Sequence, residues 1–212
     1  MASTAASTPR SREPARRRTR SWGKHDRQKF LDVASKLFAR DGYAEVSLED
    51  IAASIDARKG SMSYYWRRKE DFLLEIVRRF SGSIQTELQD ISARDSSATE
   101  RLRAAIDRHV NSILSSRTYA TIFFEQRRHL PRKEQRAMSR FDSMIVDVYR
   151  RIIEDGVKAG EFKAFDAGIV TMELLGLMNW TYRWFQEDGP VKREDLVAEI
   201  TASALRILQA GV

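Results

Sequence analysis

Residues 47–66 read SLEDIAASIDARKGSMSYYW, which spells two short helices joined by a tight turn. Leu48, Ile51, Ala52 and Ile55 recur at helical spacing and give the first helix one apolar face. Ser47 stands where an N-cap belongs, and Asp50, three residues on, is a short-armed version of the capping-box acid. Asp56, Ala57 and Arg58 are polar and brief enough to be the turn, and a second helix is expected from about Lys59 to Trp66. On its wheel Met62 and Trp66 point one way, while Gly60, Ser61, Ser63, Tyr64 and Arg67 point the other. A small, hydroxylated and aromatic face flanked by Arg58, Lys59, Arg67, Arg68 and Lys69 suits a DNA groove. The charges would meet phosphates and the short side chains would meet base edges. The stretch therefore reads as a helix-turn-helix; the bland alternative is a helical hairpin packed into a larger bundle.

Residues 27–77 extend this pattern with a preceding helix, RQKFLDVASKLFARDGY, and a following one, RRKEDFLLEIV. Together with SLEDIAASI and KGSMSYYW they resemble the DNA-binding domain of the TetR family of transcriptional regulators. Lys59, Gly60, Ser61, Met62, Tyr64, Tyr65, Trp66, Lys69 and Glu70 fall on the family's positions. Three residues depart: Asp56 replaces the usual turn glycine, Arg58 the usual capping Ser and Ser63 the usual first Tyr. Ser63 cannot make a tyrosine's contact, so the base preference is expected to differ from that of typical members. The residues expected at DNA are Ser47, Arg58, Lys59, Gly60, Ser61, Ser63, Tyr64, Tyr65, Arg67 and Lys69. Lys69, at the start of a long helix, is placed where both the macrodipole and its ammonium favour a phosphate.

The chain has 212 residues, 42% of them hydrophobic, and no cysteine. That length allows a small domain plus a larger one, and the missing cysteine excludes a disulfide scaffold, thiolate catalysis and cysteine-bound zinc. No apolar run approaches the ~20 residues of a membrane span, and no signal-type h-region opens the chain, so a cytoplasmic, nucleoid-associated protein is expected. The formal charge of +7 is concentrated at the start, where residues 1–24 hold seven Arg or Lys against the single Glu13. With almost no large apolar residue, 1–24 reads as a disordered basic arm. Lying directly before the first helix, it could follow phosphates or enter the minor groove; a solvated tail and a transit peptide are the alternatives.

The rest of the chain is all-α, with about nine helices expected overall. Residues 25–70 form the DNA-binding domain, whose core is Phe30, Phe38, Tyr43, Leu48, Ile51, Met62 and Trp66, and 71–212 form a helical effector-binding and dimerisation domain. A long helix from Lys69 carries Phe72, Ile76, Phe80, Ile84, Leu88 and Ile91 as one stripe and links the two. Pro131 should stand at the first position of the seventh helix. The eighth, residues 166–186, has almost no polar face and must be buried on all sides. The eighth and ninth helices carry more apolar surface than one chain can bury, so a two-fold homodimer through them is expected. The resemblance implies the same pairing.

A later pattern (Glu125, Arg128, Leu130 and Pro131, then Gly156, Gly160, Glu161 and Phe162, then Gly176, Asn179, Trp180, Trp184 and Gly189) is similar to the carboxy-terminal domain of TetR-like regulators of lipid, steroid and aromatic-acid breakdown. Several of those respond to acyl-CoA thioesters. Phe123, Phe124, Phe141, Met144, Tyr149, Met178, Trp180 and Trp184 could line a pocket for a bulky apolar ligand, or could equally be packed core. His109 and Arg183 join the candidate pocket; the histidine could instead be hydrogen-bonded core, and the arginine needs a carboxylate from Glu125, Glu173 or an acidic ligand. No catalytic motif is present and His25, His109 and His129 lack ligand spacing, so no enzyme activity, cofactor or metal is expected. The expected function is a homodimeric repressor released from a double-stranded DNA operator by a small hydrophobic or acyl-CoA-type effector. The alternative is a DNA-compacting module without small-molecule control.

Overall fold

The computed structural model describes residues 24–55, 62, 65–163 and 166–209, with side chains from residue 27 onward. Every regular element among them is helical. Helix α1 (Lys24–Asp41) turns Phe30, Leu31, Ala34 and Phe38 fully inward, and Gly42, at φ 88°, reverses the chain in a conformation that suits glycine. Ser47 then caps α2 (Leu48–Ala53): its hydroxyl accepts the Asp50 N–H while the Asp50 carboxylate accepts the Ser47 N–H at 2.8 Å. The capping box read from the sequence is present, with aspartate in the role glutamate usually takes.

Helix α3 (Lys69–Ser92) runs its expected stripe into the interior, with Leu73 and Val77 added. At 24 residues it is about 36 Å long and reaches from the small amino-terminal bundle into the larger one. Around it stand α4 (Ala98–Ser115), α5 (Arg117–Glu125), a single 3-10 turn (Arg127–His129) and α6 (Arg132–Lys158). Pro131 caps α6 instead of opening it, one place earlier than expected, and its carbonyl receives the Glu134 and Gln135 N–H groups. After α6 the chain doubles back through Gly160, at φ 74°, and lays Phe162 on Gly156. Glu161 meanwhile caps α4 across the fold, accepting the Ala98 and Thr99 N–H groups at 3.0 and 2.9 Å.

The helix expected over 166–186 is two pieces, α7 (Ala167–Asn179) and the short α8 (Thr181–Trp184). Thr181 turns its hydroxyl back onto the Met178 carbonyl at 2.7 Å, and the next turn tightens to an Arg183 N–H to Trp180 carbonyl bond. Full burial is also corrected: Ile169, Met172, Leu177, Trp180 and Trp184 are between 44% and 60% exposed. Helix α9 (Arg193–Gln209) completes the bundle, with Leu196, Ile200, Ala204, Leu205 and Leu208 inward. Among the described residues no helix is long and apolar enough to cross a membrane.

Candidate functional site

Met62 and Trp66, the two residues read as the inward face of the second helix, are buried at 0% and 3% exposure. Trp66 stacks on Phe72 at 4.1 Å, meets Phe30 edge-on, and donates its indole N–H to Glu75 at 2.9 Å. The same carboxylate takes Arg27 from α1 at 2.6 Å and Arg79 from α3 at 2.7 Å, with the Arg27 guanidinium over the indole ring. One glutamate thus fastens the end of the helix-turn-helix to both flanking helices. Sequence patterning missed this joint because Arg27 and Trp66 lie 48 and 9 residues away.

Arg58, Lys59, Gly60, Ser61, Ser63 and Tyr64 lie outside the described residues, as does the basic arm up to residue 23. Tyr65 is half-buried and Arg67 exposed. Ser47 and Lys69 both make hydrogen bonds within the protein. The Ser47 hydroxyl is engaged in its cap, donating to Asp50 at 2.6 Å. The Lys69 ammonium donates to the Tyr43 and Ala44 carbonyls at 2.7 and 3.1 Å and sits over the Tyr43 ring. These contacts tie the α1–α2 loop to α3.

In the larger bundle, α3, α4, α5, α6 and α7 surround an apolar cavity of about 540 Å³. His109, Phe123, Phe124, Phe141 and Trp180 line it, as the sequence reading had them. Phe80, Ile84, Ile145, Val146, Met172, Leu175, Gly176, Asn179 and Tyr182 line it too and were not anticipated. Met144 and Trp184 are not on this wall: Met144 is half-buried elsewhere on α6, and Trp184 is exposed. Tyr149 and Met178 lie behind the wall as packed core at 0% exposure. Tyr149 supports the site from there, its hydroxyl 3.1 Å from His109 Nδ1 and 2.9 Å from the Ala105 carbonyl oxygen. His109 Nε2 faces the Asn179 carboxamide oxygen, also at 3.1 Å. Burial pushes the imidazole pKa down to about 4, so it is neutral at physiological pH and presents a fixed, uncharged polar edge to the cavity.

Beside this cavity lies a polar cleft of about 620 Å³ bearing Glu125, Arg127, Arg128, Gln135, Asp142 and Arg183. Arg183 finds its carboxylate in Glu125, which also accepts the Tyr182 hydroxyl at 3.3 Å. Phe124, Arg127, Asp142, Trp180 and Tyr182 line both spaces and so form the partition between them. An apolar chamber with a charged antechamber can hold an amphiphile.

Residues 95–208, more than half of the chain, match the tetracyclin repressor-like carboxy-terminal domain, and residues 30–76 match the bacterial regulatory proteins of the tetR family. The chain belongs to the TetR family. It is a DNA-binding transcriptional regulator, its amino-terminal match spanning residues 30–76 and its carboxy-terminal match residues 95–208. Among relatives of this TetR-family chain, the HTH-type transcriptional repressor KstR2 of Rhodococcus jostii (strain RHA1) is 25% identical over 167 residues, covering 78% of this chain and 82% of its own length. The structure of a transcriptional regulator of the TetR/AcrR family from Thermobifida fusca YX-ER1 is 31% identical, with a TM-score of 0.66 over 85% of this chain and 97% of its own. AibR, solved in complex with isovaleryl coenzyme A and operator DNA, shares the fold at 20% identity and a TM-score of 0.74, over 83% of this chain and 96% of its own.

Proposed function

We propose that this TetR-family chain is a homodimeric repressor whose effector is amphiphilic: a hydrophobic acid or an acyl thioester. The apolar group occupies the chamber under Trp180 and the polar group the adjoining cleft. The observation that carries this reading is the shared wall between an apolar space of about 540 Å³ and a polar one of about 620 Å³. A detergent-like or acyl-thioester molecule has that same division. AibR, which has this fold, was crystallised with an acyl-coenzyme A and operator DNA together, which supports the ligand class. The dimer pairs the exposed stripe of α7 and α8, together with α9, with its own copy, and Lys59 and Tyr64 contribute to reading bases.

The test begins with a duplex selected from random-sequence DNA by the protein itself, followed by a thermal-shift screen of acyl-CoA esters and hydrophobic acids. A stabilising compound should also weaken DNA binding about 5–150-fold, the usual range of coupling. Compounds that stabilise the protein yet leave DNA affinity unchanged would refute effector control.

A further inference from the structure

Arg127 lines both the apolar chamber and the polar cleft, and its neighbour Gln126 reaches the DNA-binding bundle. Its guanidinium lies over the Phe123 ring at 4.4 Å and donates to Asp142 Oδ1 at 2.8 Å, across the partition between chamber and cleft. Both partners still reach water, Asp142 more than Arg127. The pair is therefore weakly held and can be exchanged. Stacking on Phe123 keeps the guanidinium in place whichever anion it meets.

The neighbouring residue leads the other way. Gln126 is buried, and its carboxamide oxygen accepts the Tyr43 N–H at 3.2 Å. Three residues further on, the His129 ring lies 5.2 Å from that of Tyr43. Tyr43 in turn gives its carbonyl to Lys69 at the head of α3. The 3-10 turn Arg127–His129 thus has one end on the ligand partition and the other on the loop that joins α1 to α2.

Resting on the amphiphilic-effector reading, we propose that Arg127 is the receptor for the effector's anionic group and that Asp142 occupies it in the effector's absence. An entering carboxylate or phosphate replaces Asp142 at Arg127 and draws the 3-10 turn with it. The Gln126–Tyr43 hydrogen bond then carries that shift to the helix-turn-helix. Asp142 is a built-in stand-in for the ligand, and Gln126 is a positioning residue that acts through Tyr43.

Three probes of equal chain length test this on the intact protein: dodecanoate, dodecyl phosphate and dodecanol. Binding is followed by calorimetry, and release of the selected duplex by fluorescence anisotropy at saturating probe. Both anions should bind the wild type at least about 10-fold tighter than the alcohol, a difference of ~1.4 kcal/mol. That preference should collapse in Arg127→Gln and grow in Asp142→Asn. A preference for one anion over the other separates a carboxylate from a phosphate receptor. In Gln126→Ala a saturating anion should no longer release DNA, and Gln126→Glu, which restores an acceptor for the Tyr43 N–H, should recover release. Equal affinity for alcohol and anions, or undiminished release in Gln126→Ala, overturns the inference while leaving the cavity reading intact. Failure of all three probes to bind overturns the cavity reading and the inference with it.

Discussion

Glu75 holds three groups at once: the Trp66 indole, Arg27 and Arg79. Its side chain is 15% exposed, so removing it leaves an indole N–H and two guanidinium groups short of a partner in a partly dry place. Glu75→Ala should cost about 1–3 kcal/mol in a chemical denaturation series and weaken DNA binding, because Trp66 directly follows the segment proposed to read DNA. Glu75→Gln, which keeps an acceptor for the indole, should lose less of both. His109 makes a prediction of a different kind. Its folded pKa of about 4 lies below the usual histidine value of 6.5, so the unfolded chain takes up a proton first as pH falls. Its contribution is fully present above pH 6.5 and declines as pH drops towards 4, by roughly 3 kcal/mol in all. Subtracting the stability–pH curve of His109→Gln from that of the wild type should isolate this decline. A flat difference would mean that the imidazole is not desolvated.

Between elements, the hairpin after α6 depends on the absence of a side chain. A Cβ on Gly156 would stand 2.1 Å from the Phe162 ring and 2.9 Å from the Ala98 Cβ. The Phe162 ring must leave its place if Gly156 becomes Ala. The Glu161 carboxylate next to it, whose pKa is lowered by the Thr99 and Ala98 amides it accepts, then loses its aim at the start of α4. Gly156→Ala should therefore lower stability by about 1–3 kcal/mol, as overpacking does. Adding Phe162→Leu should recover part of it in the same thermal melt. The glycine, glutamate and phenylalanine of this hairpin were visible in the sequence only as a family pattern, since a spacing of five or six residues says nothing of which side chain rests on which backbone. The break at Trp180 was equally hidden. Hydropathy runs unbroken through it, and the Thr181 hydroxyl on the Met178 carbonyl is a local competition that no periodicity records.

Across the whole molecule, Ile169, Met172, Leu177, Trp180 and Trp184 recur at three- to five-residue steps along α7 and α8 and remain outside this chain's own core. Gly176 sits among them with nothing within 4 Å of where a Cβ would be, which leaves room for close approach by another helix. In the homodimer we propose, a second copy of the chain would cover such a stripe with itself under two-fold symmetry. Leu177→Glu should place two carboxylates against each other across that contact and give the monomer mass in light scattering. Because each half-site is then read alone, DNA affinity should fall steeply with it. An unchanged dimer in Leu177→Glu would locate the self-association surface elsewhere. Met172 and Trp180 belong to this stripe and to the cavity wall as well, so effector occupancy and pairing of the two copies are expected to influence one another.

The sequence by itself determined what is local in the chain: the helical periods, the Ser47–Asp50 cap, the inward turn of Met62 and Trp66, and with them the family. Each depends on residues within about one or two turns of each other, a range over which backbone geometry leaves few choices. Only the tertiary structure decided which inward residues fill space and which surround it. Phe123 and Phe141 border the cavity while Tyr149 and Met178 are packed behind it, although all four lie on apolar stripes. A stripe shows that a face is turned from water, but whether the opposing helix reaches it depends on the angles at which several helices cross. The long-range polar joints follow the same logic. Gln126 meets Tyr43 across 83 residues, because the fold brings together groups that no spacing along the chain relates.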